Sequence, residues 1–298
     1  MKKPIIIGSR GSDLALWQAH FVQRQLNILG IESIIEIIKT KGDAIQHLSF
    51  DKIEGKGFFT KEIEEALLAG SIDLAVHSHK DLETQSPEGL IIAAVSERAD
   101  PRELLLIHPD AFDAAATWCL KPEAHVGTSS ARRKAQLLNT RPDTTPVDIR
   151  GNVPTRVQKL RNGEFDAILL AKAGVDRLAL DLTGLHSLTL EIDQLVPAPA
   201  QGVLALQTRS DDEQLIAVLT KLNASEVQRC IAIERRVLNK MQGGCQLPLG
   251  VHATYRNNSF HATVAYAPSW NGKVVQFEMV EADGLLLTDN ILQRIQKK

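Results

Sequence analysis

The stretch IIIGSRGSDLALWQAHFVQRQLNILGIESIIEII, residues 5–38, decides the fold class of this chain. The apolar run Ile5–Ile7 is followed by a helical pattern from Leu14 to Leu29, which Gly30 ends, and then by a second apolar run from Ile31 to Ile38. A strand, a helix and a strand in this order are typical of a βαβ unit. We therefore expect an α/β protein with a mostly parallel sheet.

The same alternation continues in a second α/β block that begins near Pro101. It closes at Val196-Pro197-Ala198-Pro199-Ala200, whose composition is typical of a crossing linker. Val203–Gln207 then has the pattern of a strand, which could return to the first block. We expect domain 1 at residues 1–97 and 201–221, and domain 2 at residues 98–200.

The remaining residues, 222–298, predict a small α+β domain. Ser225 and Gln228 have the spacing of a capping box that opens a helix to about Met241. A meander of strands with a strong hairpin signal at Asn271-Gly272 follows. A last helix is predicted over 289–296.

The composition excludes a protein that binds nucleic acid or an anionic membrane through its overall charge. Lysine and arginine total 34 against 36 aspartates and glutamates, so any anion site must be local. The three cysteines have no CxxC spacing, which indicates neither a disulfide framework nor a zinc site. The N-terminal run Ile5–Ile7 is too short for a signal-peptide core or a membrane span. We expect a cytoplasmic protein without a membrane segment.

Cys245 lies in the run Met241-Gln242-Gly243-Gly244-Cys245-Gln246, directly after a long helical stretch. Glycines adopt positive φ and have no side chain, so a bulky group could approach the sulfur closely. A helix C-cap followed by an ordinary buried cysteine explains the same residues about equally well. The segment alone leaves both interpretations open.

Basic residues are concentrated between Gly127 and Arg161, where the only acidic residues are Asp143 and Asp148. The basic residues are Arg132, Arg133, Lys134, Arg141, Arg150, Arg156, Lys159 and Arg161. The run Gly127–Ser130 precedes a predicted helix start, whose amides favour anions, and arginine forks bind carboxylates or phosphates. A solvated basic face is the alternative. A nucleic-acid site is less favoured, because the stretch has no aromatic residue for stacking.

A second polar cluster is predicted where strands of the first block end, and we expect it to face the basic stretch across a cleft. Ser9-Arg10-Gly11-Ser12 follows the first strand, and Lys80 and Asp81 follow a later one. Asp81 could stabilise a developing positive charge or carry protons, whereas an ion pair with Lys80 or a cap would explain it equally. His77 and His79 lack a third ligand spaced near them, so we expect no metal site.

Gly55-Lys56-Gly57-Phe58-Phe59 is a glycine-rich turn with two aromatic residues. It lacks the spacing of a P-loop. Its phenylalanines could stack on a planar ligand or pack into the core. The chain also has no GxSxG, no HExxH and no GxGxxG after a strand, which disfavours the common hydrolases and dinucleotide-binding proteins.

Taken together, these segments resemble the porphobilinogen deaminase family, the hydroxymethylbilane synthases, along nearly the whole chain. The resemblance rests on six motifs in chain order. They are Leu14–Ala19; Gly55–Gly57 with Phe59; Val76–Ser78 with Lys80 and Asp81; Gly127–Ser130 with Arg132 and Arg133; Arg150–Val153 with Arg156; and Gly243–Gln246.

The resemblance implies a fold and a reaction. The fold would have three domains, the first two arranged like a type II periplasmic binding protein around a cleft and the third carrying Cys245. The family joins four porphobilinogen molecules with loss of ammonia and then releases the linear tetrapyrrole hydroxymethylbilane by hydrolysis. The chain grows on a dipyrromethane cofactor bound through a thioether, for which Cys245 resembles the attachment point. We expect a monomer that binds neither nucleic acid nor membrane.

The resemblance also assigns roles to the polar residues. Asp81 matches the catalytic carboxylate, which would stabilise the cation formed when ammonia leaves. The cofactor-binding matches are Cys245, Lys80, Asp81, Ser129, Ser130, Arg132, Arg133, Arg150 and Gly151. The substrate-binding matches are Arg10, Ser12, Phe59, Arg150, Arg156, Arg177 and Gln201.

Four positions depart from the family pattern: Asp13, His79, Ala200 and Gln207. Ala200 replaces a glycine and is expected to stiffen the domain crossing. A non-enzymatic solute-binding module with the same cleft is the alternative function, and bound pyrrole on the purified protein would distinguish the two. A nucleic-acid-binding protein would instead show salt-sensitive retention on DNA.

Overall fold

The computed structural model describes residues 3–40, 60–242 and 246–297. The strands in these ranges are β1 (Ile5–Ser9), β2 (Ser33–Ile37), β3 (Leu74–Ser78), β4 (Leu90–Val95), β5 (Glu103–Ile107), β6 (His125–Gly127), β7 (Thr145–Val147), β8 (Ala167–Ala171), β9 (His186–Leu190), β10 (Leu204–Arg209), β11 (Leu249–Arg256), β12 (Ser259–Tyr266) and β13 (Val275–Glu281). The α-helices are α1 (Asp13–Ile28), α2 (Lys61–Leu68), α3 (Ala131–Thr140), α4 (Val153–Arg161), α5 (Lys172–Arg177), α6 (Glu213–Thr220), α7 (Ser225–Lys240) and α8 (Gly284–Gln296). The chain forms two compact units, divided at 99/100, 201/202 and 228/229.

The first unit contains a five-stranded sheet with the order β2-β1-β3-β10-β4. β1 is parallel to β2 and to β3. β10 is antiparallel to both of its neighbours, β3 and β4. The strand predicted at Val203–Gln207 therefore does return to the first sheet.

Both faces of this sheet are covered because alternate residues of a strand point to opposite sides. Leu74 of β3 packs in one cluster with Ala19 and Leu26 of α1. Its neighbour Ala75 packs in a second cluster with Ile63 of α2. Helices on both faces of a largely parallel sheet confirm the α/β class predicted from residues 5–38.

The second unit contains a sheet of the same design, with the order β7-β6-β8-β5-β9. β6 is parallel to β7 and to β8. β5 is antiparallel to β8 and β9, as β10 is to its neighbours in the first sheet. The sequence shows no internal repeat, so this likeness is one of strand order alone.

A third sheet, β11-β12-β13, is an antiparallel meander that also belongs to the second unit. α7 and α8 pack on it through Val237, Leu287 and Ile291, which contact Val251 and Val264. The expected small α+β domain is confirmed. Its last helix begins five residues before the predicted 289, because the Asp283 side chain accepts hydrogen bonds from the Leu285 and Leu286 amides.

The segment predicted as a crossing linker is buried. Val196 and Ala200 are fully buried, and Val196 packs between Ala135 of α3 and Ala265 of β12. A Cβ on Gly250 would lie 2.5 Å from the Val196 carbonyl oxygen. A glycine is therefore required where the third sheet meets this segment.

Candidate active site

Two of the expected polar groups lie at one edge of the first sheet. Arg10 directly follows β1, and residues 79–81 form a 3₁₀ turn directly after β3. Because β1 and β3 are adjacent and parallel, their carboxyl ends meet at the same edge. The structure thus brings the Arg10 segment and the Lys80-Asp81 segment together, as predicted from their positions in the sequence.

The segment around Asp81 is anchored from the neighbouring helix. Ser12 is the N-cap of α1 and accepts a hydrogen bond from the Ala15 amide. Gln18 of α1 donates its side-chain amide to Ser78 Oγ, 2.8 Å away. Asp81 itself is exposed, and among the described residues none forms an ion pair with it. Asp81 therefore does not form the ion pair with Lys80 that was the alternative explanation for it.

The histidines beside this turn are both buried. Nε2 of His77 lies 3.0 Å from Oε1 of Gln207 on β10. Within residues 3–40, 60–242 and 246–297, no cluster of three or more His, Cys, Asp or Glu side chains could hold a metal ion. Burial lowers the pKa of His77 to about 4, so its imidazole is neutral at physiological pH.

The serines of the basic stretch fix the carboxyl ends of two strands in the second unit. Ser129, after β6, donates its hydroxyl to the Ile149 carbonyl at 2.9 Å and accepts from the Ile149 amide at 3.1 Å. Ser130 is the N-cap of α3 and accepts from the Arg133 amide. The predicted helix start after Gly127–Ser130 is confirmed.

Arg150 and Gly151 follow immediately. Gly151 has φ +110°, and a Cβ there would lie 2.7 Å from the Thr155 methyl carbon. The Gly151 carbonyl accepts a 2.8 Å hydrogen bond from Nε of Arg156. A glycine is thus needed where the loop turns towards α4, and the carbonyl of this turn holds the Arg156 side chain.

Arg177 ends α5, the helix that follows β8. Since β6 and β8 are adjacent and parallel, α5 starts at the same sheet edge as Ser129. Burial lowers the pKa of Arg177 to about 10, which leaves the guanidinium protonated at neutral pH. The second unit therefore places hydroxyls and cations at one edge, a donor set that suits carboxylates.

Arg132 and Arg133 are not on a solvated basic face. They are 5% and 6% exposed, and both bind the carboxylate of Glu103, the first residue of β5. Nη2 of Arg132 lies 2.7 Å from Glu103 Oε1, and Nη2 of Arg133 lies 2.7 Å from Oε2. Sequence reasoning missed Glu103, because a glutamate at the start of the apolar run Glu103–Ile107 has no local signal of burial.

Gln201 joins the same group of residues. It is 1% exposed and donates its side-chain amide to Glu103 Oε1 at 3.0 Å and to the Pro101 carbonyl at 2.7 Å. The structure therefore places Gln201 beside the two arginines, although it lies about 70 residues from them in the chain. Both hydrogen bonds of the Gln201 side-chain amide are therefore made inside the second unit.

Other basic residues of this stretch have partners within the second unit. Arg141 binds Asp143 and the carbonyls of Thr117 and Leu120. Lys134 binds Asp148. The local excess of charge thus overstated the number of cations available to a ligand, because counting within the window omits Glu103 and the backbone carbonyls that bind these side chains.

Phe59 and Cys245 lie outside the described residues, as do the flanking Gly55–Gly57 and Gly243–Gly244. The helix before these glycines, α7, ends in described residues. Gln242 has φ 51° and donates its amide to the Asn239 carbonyl at 2.9 Å. A left-handed residue that closes a helix is usually glycine, and here Gln242 takes that conformation. The left-handed position that closes α7 is thus filled by Gln242.

A cavity of about 370 Å³ is lined by Gln242 and Gln246, the described residues on either side of positions 243–245. Trp270, from the β12–β13 connection, and Ala131, at the start of α3, also line it.

The two described cysteines both pack against apolar cores. Cys230 is buried in the core of the third sheet, and Cys119 is partly buried against the core of the second sheet. Among the described helices, none has both the length and the apolar character needed to cross a bilayer.

Two family models match the chain. Residues 5–217 match the model described as porphobilinogen deaminase, dipyromethane cofactor binding domain. Residues 227–292 match the porphobilinogen deaminase C-terminal domain. Together the two models match most of the chain, leaving residues 218–226 between them.

Curated relatives agree with these models. A porphobilinogen deaminase from Chlorobium chlorochromatii is 43% identical over 287 residues, which span 96% of this chain and 90% of the relative. One from Chloroherpeton thalassium is 43% identical over 278 residues, 92% of this chain and 85% of the relative. Among solved structures, the periplasmic VFT2 domain of Bordetella pertussis BvgS is 14% identical, the match covers 77% of this chain and 92% of that one, and the TM-score is 0.44.

Proposed function

The chain belongs to the porphobilinogen deaminase family, the hydroxymethylbilane synthases, and on that premise we propose that it joins four porphobilinogen molecules, with loss of one ammonia each, into hydroxymethylbilane. Each step forms a carbon–carbon bond between pyrrole units as the carbon–nitrogen bond to ammonia breaks. Water then cleaves the finished tetrapyrrole from the protein. The activity is that of a transferase in tetrapyrrole biosynthesis.

The observation that carries this proposal is the buried pair Arg132 and Arg133. Among the described residues, two guanidinium groups form their ion pairs with a single carboxylate, Glu103, so this group of three side chains has one positive charge in excess. Burial of an uncompensated charge is costly, and the acetate and propionate groups of pyrrole substrates would supply the missing negative charge. The donor set of the second unit therefore fits a dipyrromethane.

We propose that this dipyrromethane is bound through Cys245 and provides the growing end of the chain. A thioether requires a thiolate nucleophile with access to its electrophile. Cys230 is buried in an apolar core and Cys119 packs against another, whereas Cys245 follows two glycines. Lys80, Ser129, Ser130, Arg150 and Gly151 complete the proposed cofactor site.

We propose that Asp81 is the catalytic residue. It is exposed at the carboxyl end of β3, and no described residue neutralises its charge. An ionised carboxylate at such a position can stabilise the positive charge that develops as ammonia leaves and can hold pyrrole N–H groups. This stabilisation exists mainly along the reaction path and so lowers the barrier.

The substrate carboxylates are assigned to the remaining cations. Arg10 and Ser12 lie beside the Asp81 turn, and Arg156 and Arg177 lie at the matching edge of the second sheet. Phe59 and Gln201 complete the proposed set, Gln201 acting through its bond to Glu103. The proposed domains are 1–97 with 201–221, 98–200 and 222–298. We also propose a cytoplasmic monomer that binds neither nucleic acid nor membrane.

The test is a stoichiometric assay of the purified protein with porphobilinogen. We expect one ammonia for each porphobilinogen consumed and one linear tetrapyrrole for every four. Binding of porphobilinogen without release of ammonia would instead identify a solute-binding protein. Size-exclusion chromatography with light scattering tests the monomeric state.

A further inference from the structure

Glu103 has an unusual position for a carboxylate. It is the first residue of β5, where it pairs in register with Ala171 of β8 and Leu190 of β9, and its exposure is 0%. An ionised group in such a place is stable only when its oxygens are well supplied with donors. Glu103 therefore depends on the side chains that surround it.

Four side-chain N–H groups meet this requirement. Oε1 accepts from Arg132 Nη2 at 2.7 Å and from Gln201 Nε2 at 3.0 Å. Oε2 accepts from Arg133 Nη2 at 2.7 Å and Nε at 3.1 Å. Each carboxylate oxygen thus fixes a different guanidinium group, and the two bonds from Arg133 converge on Oε2, which fixes the orientation of its guanidinium plane.

Two carbonyl oxygens hold the arginines from the other side. Arg132 Nη1 donates to the Val196 carbonyl and Arg133 Nη1 to the Leu169 carbonyl, each at 2.9 Å. Val196 belongs to the buried segment between the second and third sheets, and Leu169 to β8. The two guanidinium groups are therefore fixed in position by groups of the fold itself.

The charge of this group is not balanced. Within the described residues, the ion pairs of both arginines go to Glu103, which supplies one negative charge against two positive charges. The pKa of Arg132 is accordingly lowered, first by burial and further by the charge of Arg133, against the attraction of Glu103. A second carboxylate would relieve this imbalance.

We infer that Glu103 is a positioning residue for the reaction. Its buried carboxylate orients Arg132 and Arg133, and the positive charge that Glu103 leaves unbalanced binds a carboxylate of the dipyrrole. This inference rests on the proposed function. Glu103 contacts neither substrate nor cofactor and acts through the two arginines. The competing explanation is a purely structural ion cluster that keeps β5 against α3.

The two explanations differ in what happens to folded protein. Glu103→Gln removes the charge but keeps the size, while Glu103→Asp keeps the charge and withdraws it by one methylene. The matched control is Asp143→Asn, which takes the carboxylate from another buried arginine of the same unit, Arg141, outside the proposed site. All variants are compared with the wild type at a temperature well below the lowest Tm of the set.

The readouts are the fraction of protein with a covalent adduct, by intact mass, and the rate of the first porphobilinogen addition to loaded protein. A lost hydrogen bond to a charged group typically changes such an equilibrium or rate about 10-fold. We expect the first addition to be slower by about 10-fold or more in Glu103→Gln and by a smaller factor in Glu103→Asp. Asp143→Asn should add the first substrate at the wild-type rate even if its Tm falls as much as that of the Glu103 variants.

The inference is overturned if both Glu103 variants, while folded, load cofactor and add the first substrate as fast as Asp143→Asn. If Glu103→Gln does not fold, the comparison of Glu103→Asp with Asp143→Asn decides the question, because Glu103→Asp keeps the negative charge between the two arginines. A first addition as fast as in Asp143→Asn would then overturn the inference. A wild-type protein without any adduct would contradict the proposed function instead, so the two failures are distinguishable.

Discussion

His77 donates its Nε2–H to the amide oxygen of Gln207 across 3.0 Å, and the Gln207 amide nitrogen donates to Glu64 Oε1 at 2.9 Å. The second bond sets the direction of the first, because the amide nitrogen faces Glu64 and only the oxygen is left for the imidazole. Burial then lowers the pKa of His77 to about 4, although the hydrogen bond that His77 donates to Gln207 opposes this. Burial also raises the pKa of Glu64.

The first prediction concerns stability in acid. Between pH 6.5 and about 4 the unfolded chain binds a proton at His77 that the folded chain does not. The free energy of unfolding therefore falls as the pH is lowered through this window, by on the order of 3 kcal/mol in total. Urea unfolding of wild type and His77→Asn at pH 7 and pH 4.5 measures the difference. Equal pH dependence of the two proteins would contradict it.

Gln207→Glu should reverse this behaviour. A carboxylate 3.0 Å from the imidazole favours the protonated histidine, so we expect a His77 pKa above that of the wild type. NMR titration of the imidazole signals measures it, with His77→Asn to assign the resonance. An unchanged or lower His77 pKa would show that the residue at 207 does not control its charge.

Ala200 offers a test of backbone strain. Its φ is +61°, a region that costs a residue with a Cβ roughly 1 kcal/mol or more. Its amide donates to the buried Glu234 carboxylate at 2.6 Å, which fixes this conformation. Ala200→Gly should therefore raise stability by about 1 kcal/mol, whereas Ala262→Gly, in the middle of β12, should lower it. A loss of stability in Ala200→Gly would contradict the argument.

Arg133→Lys keeps a positive charge but loses the fork that makes two bonds to Glu103. We expect folded protein with markedly less covalent adduct, because a lysine cannot reproduce the planar arrangement. Arg141→Lys is the control, since Arg141 is equally buried but binds Asp143 and backbone carbonyls. Equal adduct content in the two variants would remove Arg133 from the cofactor site.

Asp81→Asn should slow the chemical step more than it weakens binding. We expect single-turnover condensation on loaded protein to fall by about 100-fold or more, within the range for acid–base groups, and Asp81→Glu to fall less. Rapid-quench measurement across the pH range separates the rate from binding. A wild-type rate in the Asn variant would make Asp81 a structural residue.

The βαβ pattern of residues 5–38 and the helix start after Ser130 were predictable because they depend on neighbours in the chain. The burial of Glu103 was not, because its partners Arg132 and Gln201 lie about 30 and 100 residues away. The strain at Ala200 was also hidden: its sequence suggested a stiffer linker, whereas its left-handed φ depends on Glu234 in α7. Pairings over such distances leave no periodic signal.

Intact-mass spectrometry followed by peptide mapping of the purified active protein shows whether a dipyrromethane is attached to Cys245. We predict one covalent adduct, located on the peptide that contains Cys245, and its absence from Cys245→Ser, whose hydroxyl is a poorer nucleophile than a thiolate. An active protein with unmodified Cys245, or an adduct on Cys119 or Cys230, would show that the cofactor is not attached through Cys245.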